Sequence, residues 1–209
     1  MLKRIATGIF FLFIPLLNAA AHPHVFVKTS EEFVWKGEKL SGVWETWQFD
    51  RFFSSDIISW LDKDKDGDFN EVESKQVHDN AFINLKNYYF YTFIRQGTKR
   101  TNPAGVQNFR AHVQDGVMIY RFFIDLSHYT GHDLYFAVYD YTYYTDVEYL
   151  EPVKLTYDSS TVHPSYSIKE NKEYPVYYDP CGPATDTSVH YKWAPGLQTY
   201  YPREIHITW

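Results

Sequence analysis

The stretch Asp62-Lys63-Asp64-Lys65-Asp66-Gly67-Asp68-Phe69-Asn70-Glu71-Val72-Glu73 constrains the fold more than any other part of the chain. Six acidic side chains in one short segment repel one another unless the backbone curls them around a cation or splays them into water. The spacing fits the first arrangement. Asp62, Asp64 and Asp66 alternate, Gly67 permits a sharp turn, the backbone carbonyl of Asp68 and the side chain of Asn70 follow, and Glu73 closes the far side. These are the defining positions of an EF-hand loop, and their chance coincidence is expected in fewer than about one chain in a thousand at average residue usage. Calcium is the expected ion, because Ca²⁺ takes about six to eight hard oxygens at about 2.3–2.6 Å. Helical periodicity flanks the loop, with Phe52, Phe53, Ile57, Ile58 and Leu61 before it and Val77, Ala81, Phe82 and Leu85 after it. A helix–loop–helix insertion over residues 51–87 is therefore expected. Sensor EF-hands open Met-rich grooves, whereas this chain has a single such loop and 2 methionines, so a structural calcium clip is expected rather than a switch.

Outside the insertion the dominant period is two. Val25 to Trp35 and Leu40 to Phe49 alternate around Lys36-Gly37-Glu38-Lys39, an opening β-hairpin. Strand-like stretches follow at 88–95, 106–114, 117–126, 134–139, 153–157 and 165–169, with Asp115-Gly116 a two-residue hairpin turn. From Tyr174 the chain is rich in Pro and Gly and is expected to wrap irregularly until a last strand, Arg203 to Thr208. The fold class is thus α+β: a single domain over 22–209, mainly an antiparallel β-sandwich, carrying the helix–EF-hand loop–helix insertion and an irregular wrap over 174–209. With 20% aromatic and 44% hydrophobic residues the chain can fill such a core, and a net charge of −6 has the wrong sign for a nucleic-acid partner. Cys181 is the only cysteine, so no disulfide within the chain staples the fold.

Residues 1–21 combine Lys3 and Arg4, an apolar run from Ile5 to Leu17 and the small residues Ala19-Ala20-Ala21, the pattern of a cleaved secretory signal peptide. That apolar run is too short to span a bilayer. An exported protein that does not itself cross the membrane is expected, beginning His22-Pro23-His24-Val25-Phe26. Two imidazoles and an α-amino group then crowd three residues. Pro23 has no N–H, which blocks the square-planar copper or nickel geometry built on deprotonated amides and leaves a tetrahedral ion such as zinc. His128, His132 and Asp140 are candidates to complete the shell; the remaining histidines are expected to be surface or core residues. From the residues alone, a metal site at His22 and His24 and a frayed terminus are both open.

The combination of His22-Pro23-His24-Val25-Phe26, Trp47-Gln48-Phe49-Asp50, the acidic loop and Tyr139-Asp140-Tyr141-Thr142-Tyr143-Tyr144 resembles a bacterial periplasmic domain-of-unknown-function family. Its members are labelled periplasmic components of uncharacterised ABC-type transport systems, and it is similar to the periplasmic binding subunit of the Zev zinc transporter. The resemblance spans 22 to about 157 and departs at Tyr141, where a proline is common. It implies a zinc-binding subunit working with an inner-membrane permease of the nickel/cobalt-efflux type, with His22 and His24 as metal candidates and Asp140 as a third.

Other classes follow from other features. The excess of tyrosine and tryptophan suits a calcium-stabilised adhesion or glycan-binding module, since exposed aromatic faces stack on apolar faces of ligands. A Gly-x-Ser-x-Gly elbow and a His-Glu-x-x-His helix are both missing from the sequence, and a non-enzymatic role is expected.

Overall fold

The computed structural model describes residues 22–183 and 185–209; the signal peptide expected over 1–21 lies outside the described residues. In chain order the strands are β1 (Val25–Lys36), β2 (Lys39–Phe49), β3 (Thr92–Gln96), β4 (Lys99–Thr101), β5 (Gln107–Gln114), β6 (Val117–Asp125), β7 (Asp133–Val138), β8 (Thr145–Tyr149), β9 (Lys154–Thr156), β10 (Ser165–Glu170), β11 (Val176–Tyr178), β12 (Gln198–Tyr200) and β13 (Arg203–Thr208). Helices α1 (Arg51–Leu61) and α2 (Glu71–Asn80) and a 3-10 helix (Phe82–Tyr91) separate β2 from β3.

The strands form two principal sheets. One runs β5-β6-β2-β1-β8 with β9 also on β1, the other β10-β13-β7-β3-β4, and β11 pairs with β12 apart from both. Alternation builds the interior: Val25, Val27, Phe33 and Trp35 of β1 and Leu40, Val43, Trp47 and Phe49 of β2 are buried. Phe33 meets Phe136 of the opposite sheet edge to face at 5.3 Å between ring centroids, and Trp47 packs on Phe122 at 5.1 Å. The expected opening hairpin is present with its turn at Gly37, and the Asp115-Gly116 turn has φ of 54° and 72°, the mirror-image turn that matches strand twist. The sheet departs from the antiparallel expectation at one edge, where β8 and β9 lie parallel to β1.

The helical insertion lies against the β5–β6 edge. Asp50 caps α1 by accepting from the backbone N–H groups of Phe52 and Phe53, and Asn70 and Glu73 form a reciprocal capping box on α2. Ser54 of α1 accepts the backbone N–H of Met118 at 3.0 Å, and Ser74 of α2 accepts that of Ala111 at 2.8 Å. The second helix ends at Asn80 instead of continuing to Asn87. Beyond it the chain tightens into the 3-10 helix and leaves through Tyr89, Phe90 and Tyr91, all left-handed at φ of 58°, 50° and 54°. Burial of Phe82 and Phe90 between the helices and the sheet, with their rings 5.4 Å apart, explains why the packing overrides the helical period here. The expected tail wrap is irregular, with β11 and β12 within it, and it ends in β13 as read from the sequence. No helix among the described residues is long and apolar enough to cross a membrane.

Candidate metal site

His22 and His24 lie where β1 begins, beside the start of its parallel partner β8. The backbone N–H groups of His24 and Val25 both donate to the carbonyl of Tyr144, at 2.9 and 3.3 Å, and Val25 pairs with Thr145. This pairing ties His24 and Val25 to the start of β8. The imidazole rings are 4.8 Å apart, and the Tyr144 ring lies 5.0 Å from His24 and 6.2 Å from His22. His22 is 7% exposed. Its Nδ1 and the Nε2 of His24 are buried without a hydrogen-bond partner, an arrangement that ordinarily destabilises a fold. Burial, reinforced by the neighbouring His22, holds His24 below its usual pKa and so favours the neutral imidazole that a metal requires.

Asp140 belongs to the turn behind the pair. One of its oxygens accepts from the backbone and hydroxyl of Thr142, both at 2.8 Å, and the other accepts from Thr145 N–H at 3.0 Å. The Asp140 carboxylate is engaged with Thr142 and Thr145, and it shapes the Tyr139–Thr145 segment that presents Tyr144 to the imidazoles. His128 and His132 do not join the site. Trp209 donates its backbone N–H to the carbonyl of His132 and packs against Trp35, ten residues along β1 from Val25. At about 3.3 Å per residue, this places them roughly 30 Å from the histidine pair.

Gly182 of the tail lies beside His22: a Cβ at this buried position would stand 3.1 Å from His22 Nε2 and 2.9 Å from Asp186 Oδ2. The Gly182 N–H donates to the Asp179 carbonyl at 3.2 Å and the Asp186 N–H to the Pro183 carbonyl at 2.8 Å. Hydrogen bonds from Ser188 lower the Asp186 carboxyl below the usual range, and His22 and His190 add to that effect. Sequence spacing gave no sign of this approach, because Gly182 and Asp186 lie more than a hundred residues from His22.

The acidic segment 62–70 links α1 to α2. Carboxylate oxygens of Asp62, Asp64 and Asp66 lie within 4.8 Å of one another. Asp62 accepts from the N–H groups of Lys65 and Gly67, Asp64 from Asp66 N–H, and Asp66 from Asp68 N–H. Gly67, at φ of 89°, makes the bend. Glu73 is 3% exposed and reaches back to the N–H groups of Lys63, Asp64 and Asn70, so it already spans the loop. Asn70 donates its amide to Asp64, while the side chain of Asp68 ties the loop to β5 through Val113 N–H at 2.6 Å.

Comparison with known proteins places few constraints on these sites. The profile of a family described as "Protein of unknown function (DUF1007)" matches residues 7–209. A relative described as "Uncharacterized 15.5 kDa protein in trpE 3'region" of Spirochaeta aurantia is 34% identical over 83 residues, which is 39% of this chain and 59% of that protein. The chain thus spans little more than half the length of that relative. No solved structure matches.

Proposed function

We propose, from the premise that this chain belongs to the DUF1007 family, that it is a periplasmic metal-binding subunit that collects zinc and passes it to an inner-membrane permease of the nickel/cobalt-efflux type. The observation that carries the reading is the pair of buried, unpartnered imidazole nitrogens on His22 and His24, whose rings are 4.8 Å apart. Neutral imidazoles suit zinc, nickel and cobalt, and zinc follows from the absence of amide donors at Pro23 and from the resemblance to the Zev subunit. In cells grown with a zinc chelator, loss of this protein should lower accumulation of radiolabelled zinc, and the wild-type chain but not His22→Ala/His24→Ala should restore it. Equal accumulation with and without the protein would exclude the transport role.

The EF-hand loop enters this reading as a calcium brace. Calcium would neutralise Asp62, Asp64 and Asp66 and stiffen the loop that Asp68 fastens to the β5 edge. Glu73→Gln removes a charged oxygen pair from the loop and should weaken calcium binding by roughly tenfold or more and lower the melting temperature in calcium, with zinc affinity unchanged. Calorimetric titration of each ion checks both halves; a parallel loss of zinc affinity would mean that the two sites are coupled.

A second reading, a calcium-stabilised glycan-binding module, is favoured by a cleft of about 580 Å³ lined by Tyr89, Tyr141, Tyr174, Tyr177 and Tyr191 around Arg100. It separates from the first by ligand: binding of glycans that survives zinc removal and fails in Tyr191→Ala would favour the module over the transporter subunit.

A further inference from the structure

We propose that the cleft around Arg100 binds an acidic saccharide, with the guanidinium taking the carboxylate of a sugar ring and the surrounding tyrosines taking its apolar face. This ligand class rests on the glycan reading of the cleft and is independent of the metal reading.

Arg100 sits in an electrostatically unfavourable place. It lies directly opposite Arg95 in the β3–β4 pair, and like charges in facing positions repel. Glu204 neutralises Arg95 through an ion pair of 2.7 Å between largely buried side chains. Arg100 has no such partner: none of the ion pairs among the described residues includes it. Aromatic packing holds it instead. Its guanidinium carbon lies 4.1 Å from the centroid of the Phe93 ring and 4.2 Å from that of Tyr174, and Nη2 donates to the Tyr139 hydroxyl. Ring packing of this kind covers the flat face of a guanidinium and leaves its N–H edge available. Tyr139 uses one donor, and the remaining fork matches the two oxygens of a carboxylate. Because the fork is already positioned, little side-chain freedom is lost when it binds.

The walls suit a sugar. The cleft volume of about 580 Å³ falls within the roughly 300–1,000 Å³ usual for small-ligand sites. Tyr89 and Tyr191 line it while 45% and 87% exposed, so two large apolar rings stand in water beside an unpaired cation. Such rings offer platforms for the C–H face of a sugar. Glu173 and His190, in the same wall, supply hydrogen-bonding groups for its hydroxyls. Covering Arg100 with a neutral sugar would strip its water without supplying a counter-charge, whereas a carboxylate on the ring supplies one.

The test uses the chain beginning at His22 in zinc-free buffer with calcium present. The probes are galacturonate, glucuronate and sialate oligosaccharides, each beside its methyl ester, which keeps the ring and removes the charge. Calorimetry should show at least one acid bound at least roughly tenfold tighter than its ester, an advantage that shrinks at high salt. Arg100→Gln should bind acid and ester alike, and Arg100→Lys should recover only part of the difference, because an ammonium lacks the planar fork. Tyr191→Ala, at an exposed position, should weaken acid and ester by a similar factor. The comparison of acid with ester in the wild-type chain needs no variant, so it decides the matter even where Arg100→Gln fails to fold. Equal binding of acid and ester, or an acid preference that survives in folded Arg100→Gln, would overturn the proposal and leave the glycan reading standing. No binding to any of the saccharides would overturn both. An acidic peptide bound in preference to every saccharide, and lost in Arg100→Gln, would assign the cleft to a peptide and overturn both as well.

Discussion

Raising the pH from 5 to 9 is expected to cost the wild-type fold several kcal/mol more than it costs a Glu45→Gln variant. Glu31 and Glu45 stand directly opposite in the β1–β2 pair, on its inward face, and are 1% and 0% exposed. Glu45 accepts from the Trp47 indole N–H at 2.8 Å and the Thr92 hydroxyl at 2.9 Å. Glu31 accepts from the Thr29 hydroxyl at 2.7 Å, and its other oxygen has no partner. Burial raises both carboxyls from the ordinary 4.5 to about 8, and the charge of Glu31 adds to the rise at Glu45. The direction is upward chiefly because a dry interior disfavours the charged form, and the acid opposite adds to that at Glu45. Between pH 4.5 and about 8 the folded chain therefore holds protons that the unfolded chain has released. Stability falls with pH across that window and levels off above it. Each unit of displacement is about 1.4 kcal/mol, a large share of the roughly 5–15 kcal/mol that holds a domain folded.

Glutamine at 45 keeps an acceptor for the Trp47 indole N–H and places no second charge opposite Glu31. Urea midpoints at pH 5 and pH 9 should thus diverge, with the variant exceeding the wild type at pH 9. His24, held low by burial, opposes the trend on the acid side, since a histidine with a depressed pKa loses stability as the pH falls. It contributes equally to both proteins, so the difference between them isolates the pair. Parallel midpoints at the two pH values would show that these carboxyls stay ionised in the fold.

Period two alone puts Glu31 in line with Val27, Phe33 and Trp35, and Glu45 in line with Val43, Trp47 and Phe49, so the inward register of both acids was legible. Their burial was not, because an isolated acid in a strand reads as a solvent-facing residue until the facing strand shows another beside it. The helices on either side of the acidic loop were readable from their period and caps, α1 over Arg51–Leu61 and α2 from Glu71. The 3-10 exit at Tyr89 to Tyr91 had no glycine to announce three left-handed residues; tertiary packing of Phe82 and Phe90 imposes it. The histidines divide in the same way. His22 and His24 are close because Pro23 alone separates them, whereas His128 and His132 share a local spacing that suggests ligation and are carried by β7 to the far end of the sheet. Asp186 reaches His22 only through the return of the tail, which no local pattern encodes.

The second large effect concerns the histidine pair itself. If His22 and His24 hold zinc, replacing both with alanine removes the nitrogen donors and leaves too few ligands for measurable affinity. Because the imidazoles must be neutral to bind, wild-type affinity should also weaken on acidification. Zinc should stabilise wild type against heat by an amount that grows with its concentration, and should leave the double variant unmoved. The direct measurement is calorimetric titration of zinc into a chain beginning at His22, with calcium present, beside the same chain carrying His22→Ala/His24→Ala. One ion per chain at sub-micromolar affinity in wild type, and no binding in the variant, is the expected result; equal heats in the two proteins, or none in either, would contradict the assignment of these histidines to a metal.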